Sequence, residues 1–148
     1  MTMDASAQQA LRIVRILKWS FILAGVMFIY LVVRIPAHAK TTPSTVFELM
    51  MSVIALVCVT AGFFIPKILP TPTTPPLLNN SASAPVKRWF TLCIMSLAYF
   101  DACNLFAVAM HFVGARVRIV ELIFTIGMLS LIFWNPGTPP TAEKSMIV

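Results

Sequence analysis

Four long apolar runs, each bounded by basic residues, prolines or aromatics, divide this chain of 148 residues. The first covers about 16–33 and follows Arg12, Arg15 and Lys18. The second covers 47–65 and carries no charge after Glu48 before it meets Pro66 and Lys67. The third, 89–113, reads WFTLCIMSLAYFDACNLFAVAMHFV, and the fourth, 119–134, stops before Asn135 and Pro136. Runs of about 17–25 apolar residues are long enough to cross a hydrocarbon core as helices. Proline stands just beyond the second and fourth runs, where it ends a helix without breaking one. The pattern predicts an all-α integral membrane four-helix bundle of two antiparallel hairpins, a single membrane domain over 1–148.

Residues 1–15 form a basic amphipathic lead-in. Arg12, Arg15 and Lys18 recur at helical spacing opposite Leu11, Ile13, Val14 and Leu17, and Ser6 with Gln9 has the spacing of a capping box. Residues 66–88 hold six prolines among Thr, Asn and Ser, the composition of a polyproline-leaning connector. Residues 135–148 read as a flexible tail. An alternative reading makes residues 1–39 a signal peptide, with 12–18 as its basic region and Ala37-His38-Ala39 as the cleavage site. Its apolar stretch is long for that role, and Arg34 is badly placed for it.

Composition excludes whole classes. Hydrophobic residues are 59% and charged residues 11% of the chain, and mean hydropathy is +0.89, so the solvent for most of this surface is lipid. The net charge of +6 would point to nucleic acid in a soluble chain. Here the bases cluster at span ends, where they set topology, so no nucleic-acid partner is expected. With the N-terminus inside, Arg12, Arg15, Lys18, Lys67, Lys87, Arg88 and Lys144 are cytoplasmic, against Arg34, Lys40, Arg116 and Arg118 outside. That bias puts both termini and the 66–88 connector in the cytoplasm, with Trp19, Phe63, Phe64, Trp89, Phe133 and Trp134 at one interface. The flanks Lys18-Trp19 and Arg88-Trp89, and Phe63-Phe64 and Phe133-Trp134, share an offset of 70 positions, which suggests an internal repeat of the hairpin.

Candidate chemistry is sparse. Cys58, Cys93 and Cys103 lie inside spans and form no metal-ligand or disulfide pattern, and there is no phosphate loop, nucleophile elbow or zinc-binding His pair. No cofactor, metal site or enzymatic activity is expected. Asp101 is the exception, a carboxylate near the middle of the third run, where insertion of a charge costs about 2.5–3.5 kcal/mol. On a helical wheel Asp101, Asn104 and His111 fall on one side. Two readings follow. In one, Asp101 and Asn104 hydrogen-bond to Ser, Thr or backbone groups of neighbouring helices and fix the packing, making the protein a structural or accessory membrane subunit. In the other, Asp101 and Asn104 are a proton- or cation-binding site. His111 lies about ten residues and ~15 Å further along and reads as interfacial. Glu121 is expected to pair with Arg118 at i−3. The lipid bilayer is the obvious partner, with a second membrane protein or a second copy expected at the third span.

The string Leu97-Ala98-x-x-Asp101-Ala102-x-x-Leu105-Phe106-Ala107-Val108 resembles the carboxyl-bearing helix of the rotary ATP synthase c subunit. That resemblance implies an ion-carrying role for Asp101. The second run lacks the repeated-glycine face of a c subunit's companion helix, offering only Ser52, Ala55 and Gly62, so a c-like ring does not follow from it. The chain as a whole resembles small uncharacterised four-span bacterial membrane proteins with an acid in this helix context. This implies a multi-pass protein of the bacterial inner (plasma) membrane and brings no activity.

Overall fold

The computed structural model describes residues 5–35, 43–68 and 84–139, of which 65–68 and 84 by backbone alone. Among them are four helices and no strand: α1 Ala5–Arg34, α2 Thr45–Ile68, α3 Ala84–Val113 and α4 Val117–Phe133. Three helices, α1, α2 and α3, are long and apolar enough to cross a membrane. α4 is as apolar but has 17 residues, the short end of the spanning range.

The helices outrun the apolar runs, for local reasons. α1 makes the lead-in and the first run one helix. Ser6 lies inside its first turn and caps nothing, because the helix is already under way at Ala5. Ser44 caps α2, accepting the Phe47 amide on Oγ at 3.3 Å, and α2 continues past Pro66 to Ile68. α3 starts at Ala84, five residues before the apolar run, because Pro85 suits a first turn that needs no amide donor. It ends at Gly114, whose φ of 87° is open to glycine without strain. There the Ala115 amide reaches Met110 O and the Gly114 amide His111 O, both at 3.0 Å, a Schellman stop. The connector residues 69–83, the cleavage motif at 37–39 and the tail from 140 onward lie outside the described residues.

α3 is the hub. It packs against the other three helices, whereas α1 and α2 barely meet. Its buried residues, including Phe90, Leu97, Phe100, Cys103, Ala107 and Met110, fall on one side of the helix. The first hairpin is therefore not a packed hairpin, a correction to the two-hairpin arrangement: α1 and α2 each dock on α3 instead of on one another. The same asymmetry separates the two halves of the suggested repeat. α3 and α4 form a closed pair, α1 and α2 an open one, and Trp19 is 69% exposed while Trp89 is part-buried with its indole bonded to Pro136 O at 3.0 Å.

Much of the outer surface is apolar, and some polar side chains lie inside. Trp19, Leu23, Met27 and Val33 on α1, and Leu49, Val53 and Val57 on α2, face outward, while Glu48, Ser96, Asn104, His111 and Ser130 are buried. Hydroxyls fold back on their own helices. Ser20, Ser52, Thr60, Thr91, Thr125 and Ser130 each donate to the carbonyl four residues earlier, at 2.7–3.1 Å. Such a bond satisfies a helical hydroxyl within its own helix.

Candidate functional site

Polar side chains occupy three levels of the bundle. At one end Lys18 of α1 reaches the last turn of α4, its Nζ donating to Ile132 O at 2.9 Å and Trp134 O at 2.7 Å. A cation on the unsatisfied carbonyls of a helix C-terminus opposes the negative end of the helix dipole. The aromatic residues gather at this same end. Phe63, Phe64, Trp89, Phe133 and Trp134 line one depression there, and Trp19 another alongside Pro136. Phe100 links them inward, its ring tilted against Phe63 at 4.8 Å and edge-on to Trp134 at 6.1 Å between centroids.

At the opposite end the complementary charge is supplied by α2. Glu48 is 3% exposed; its Oε1 accepts the Arg116 amide and its Oε2 the Arg116 Nε, each at 2.8 Å. Arg116 is the N-cap of α4 and has no cap from its own neighbourhood. Glu48 thus does from another helix what the acid of a capping box does locally. His111 works beside it, donating from Nε2 to Ile35 O at 2.9 Å just past the end of α1. It is a helix-end tie, too far along α3 to be a relay for Asp101.

The middle level holds the residues singled out by the sequence. Asn104 is fully buried between two glycines on different helices, Gly25 of α1 and Gly127 of α4. A Cβ built on Gly127 would collide with the Asn104 side-chain oxygen, and one on Gly25 with Met128 Sδ. The Asn104 Nδ2 points at Met128 Sδ, 3.7 Å away, a weak acceptor, and its Oδ1 has no partner. Asp101 is half-buried, with a buried Oδ1 that likewise has no partner.

Neither Asp101 nor Asn104 makes the hydrogen bond to a neighbouring hydroxyl that the packing reading anticipated, and they do not bond each other. Six of the hydroxyls are instead bonded to carbonyls of their own helices, and the buried Ser96 Oγ has no partner either. The expected Arg118–Glu121 pair is also absent. Both residues are exposed and, among the described residues, neither has an ion partner. A base N-terminal to an acid is the poorer order for pairing on a helix. The ion pair that does form, Glu48–Arg116, joins residues 68 apart and has no local signature. Gly25 and Gly127 were legible only as isolated glycines inside apolar runs, the residue type that permits close helix contact in lipid.

No group of three or more His, Cys, Asp or Glu side chains that could hold a metal occurs among the described residues. The three cysteines are free; Cys103 Sγ lies 3.5 Å from Ile123 O, and Cys93 packs in the core. Comparison with protein-family models, curated proteins and solved structures returns no match for this chain.

Proposed function

We propose that this protein is a multi-pass membrane protein with both termini cytoplasmic, in the bacterial inner membrane, and that it acts as a structural or accessory subunit. The contact with its partner runs along α3. One observation carries the reading: Asp101 has no partner among the described residues and sits at the edge of an open strip. Ala98, Leu105, Ala109 and Phe112 lie on one flank of α3 and are all exposed. The strip stays open because α1 and α2 dock on α3 without closing on each other. Alanines let a neighbouring helix come close, and a carboxyl at that edge takes a hydrogen-bond donor from it. The lipid-facing surface and back-bonded hydroxyls support the membrane setting, and the charge bias supports the orientation.

A photo-crosslinking residue at Leu105, with a control at Val57 on the outer face of α2, tests this in cells. The expected result is a discrete protein adduct from position 105 that Asp101→Leu weakens and Asp101→Asn preserves, since an amide still hydrogen-bonds. Lipid adducts alone at both positions overturn the partner reading.

A second reading rests on the same unpartnered oxygen. In it Asp101 handles a proton or cation, with Asn104 alongside, as the c-subunit resemblance implies. A membrane-permeant carbodiimide should then label Asp101 in a manner dependent on pH or sodium, and Asp101→Asn should abolish labelling while Glu121→Gln leaves it. Labelling that ignores both conditions removes this reading.

A further inference from the structure

Between the C-terminal half of α1 and the first turns of α4 lies a groove of about 430 Å³, on the scale of a small-molecule site. Ile29, Val32 and Val33 form one wall, and Val120 and Phe124 the other. Three polar side chains line it: His111, Thr125 and Glu121. The imidazole is committed to Ile35 O, and the Thr125 hydroxyl to the Glu121 carbonyl at 2.7 Å. That leaves the Glu121 carboxylate, exposed and with no partner among the described residues, inside an otherwise apolar groove. Arg118 stands three residues earlier on α4, outside the lining, exposed and with no ion partner among the described residues. An acid inside the slot and a base one turn away on the same helix complement a ligand with a cation, an anion and a hydrocarbon chain.

We propose that this groove seats one phospholipid with a primary-amine headgroup, its ammonium on Glu121, its phosphate on Arg118 and an acyl chain between Val33 and Phe124. The inference rests on the membrane reading above. A purely anionic headgroup would meet the Glu121 carboxylate with like charge. A quaternary ammonium has no N–H to donate to it and is held instead by cages of Trp, Tyr or Phe, whereas Phe124 is the only such residue among the described residues that line this groove. A primary ammonium forms charge-assisted hydrogen bonds with a carboxylate. Arg118 and Glu121 are neighbours at i,i+3, and the amine and phosphate of an ethanolamine headgroup are separated by two carbons.

The test is native mass spectrometry of the full chain in detergent with equal amounts of dioleoyl phosphatidylethanolamine, phosphatidylcholine and phosphatidylglycerol. The ethanolamine lipid should bind with a preference of roughly tenfold, the scale of one charge-assisted hydrogen bond. Glu121→Gln should bring it down to the choline lipid, and Arg118→Gln should weaken all three. Val33→Trp, at a position 76% exposed and so harmless to the core, should crowd the groove and reduce binding of every lipid. Equal binding of the three lipids, preference for the glycerol lipid, or indifference to Glu121→Gln each overturn the proposal. Carbonate washing of cell membranes separates the two levels: a chain that washes off refutes the membrane reading and this site with it. A retained chain with no lipid preference refutes the site alone.

Discussion

Small residues do the close work in this protein, and they rank by what stands opposite them. A Cβ at Gly62 would come within 2.6 Å of Phe100 Cε1, an aromatic ring held by Phe63 and Trp134. One at Gly127 would strike the buried Asn104 amide, whereas one at Gly25 would meet the flexible end of Met128. Gly62→Ala and Gly127→Ala should each destabilise the bundle by about 1–3 kcal/mol, the usual cost of overpacking, and Gly25→Ala by less. Thermal unfolding in mild detergent measures the order. A larger loss at Gly25 than at the other two would show that Met128 is rigidly seated. Asp101 and Asn104 were both legible in the sequence as polar letters in an apolar run; that their Oδ1 atoms stand without partners among the described residues was not. That depends on where other helices put their donors, and a hydroxyl's choice between its own helix and a neighbour is not encoded in spacing.

At the level of elements, α4 is the instructive case. It is the shortest helix, and its terminal amides and carbonyls would lie without partners in an apolar medium. Glu48 meets its N-terminus and Lys18 its C-terminus, a negative and a positive group matched to the two ends of the dipole. Glu48 is buried and Arg116 is 61% exposed, so the two halves of the pair are not equivalent. Arg116→Gln strands a buried carboxylate and should cost more than Glu48→Gln, which leaves a guanidinium in solvent. The double variant should be more stable than Arg116→Gln alone. A double-mutant cycle on melting temperature checks this, and strict additivity would show that the two side chains act independently. The apolar runs placed all four helices, but they set several ends short. α1, α2 and α3 continue beyond the runs because a helix follows capping and backbone geometry, and hydropathy reports only the part facing lipid or core.

For the whole molecule, the contacts divide into three levels that alternate correctly for helices running up and down. Lys18 with Trp134 and Trp89 with Pro136 define one end, His111 with Ile35 and Glu48 with Arg116 the other. On the charge bias, reporters inserted in 69–83 should report cytoplasm and those in 36–42 the opposite side; the reverse result would overturn the orientation. α1 bears on the signal-peptide alternative too. Val14 and Gly25 are buried, Lys18 holds the end of α4 and Ile35 O accepts from His111, so cleavage after residue 39 would strip all of these contacts. Intact-mass measurement of the membrane-extracted protein should show residues 1–39 retained, and a chain starting at Lys40 would refute an integral α1.

By itself the sequence determined the helical class, the four apolar helices and the oddity of Asp101, because each depends on local periodicity or the cost of one charge in an apolar run. Only the tertiary structure decided that α3 is the hub, that α1 and α2 leave its flank open and that Glu48 and Lys18 clamp α4. It also showed Arg118 and Glu121 standing apart. These are relations between helices whose outer surfaces are nearly uniform in hydropathy. In such a chain no amphipathic pattern announces which face meets which, and the choice falls to the shape of small residues and to a few long-range polar contacts.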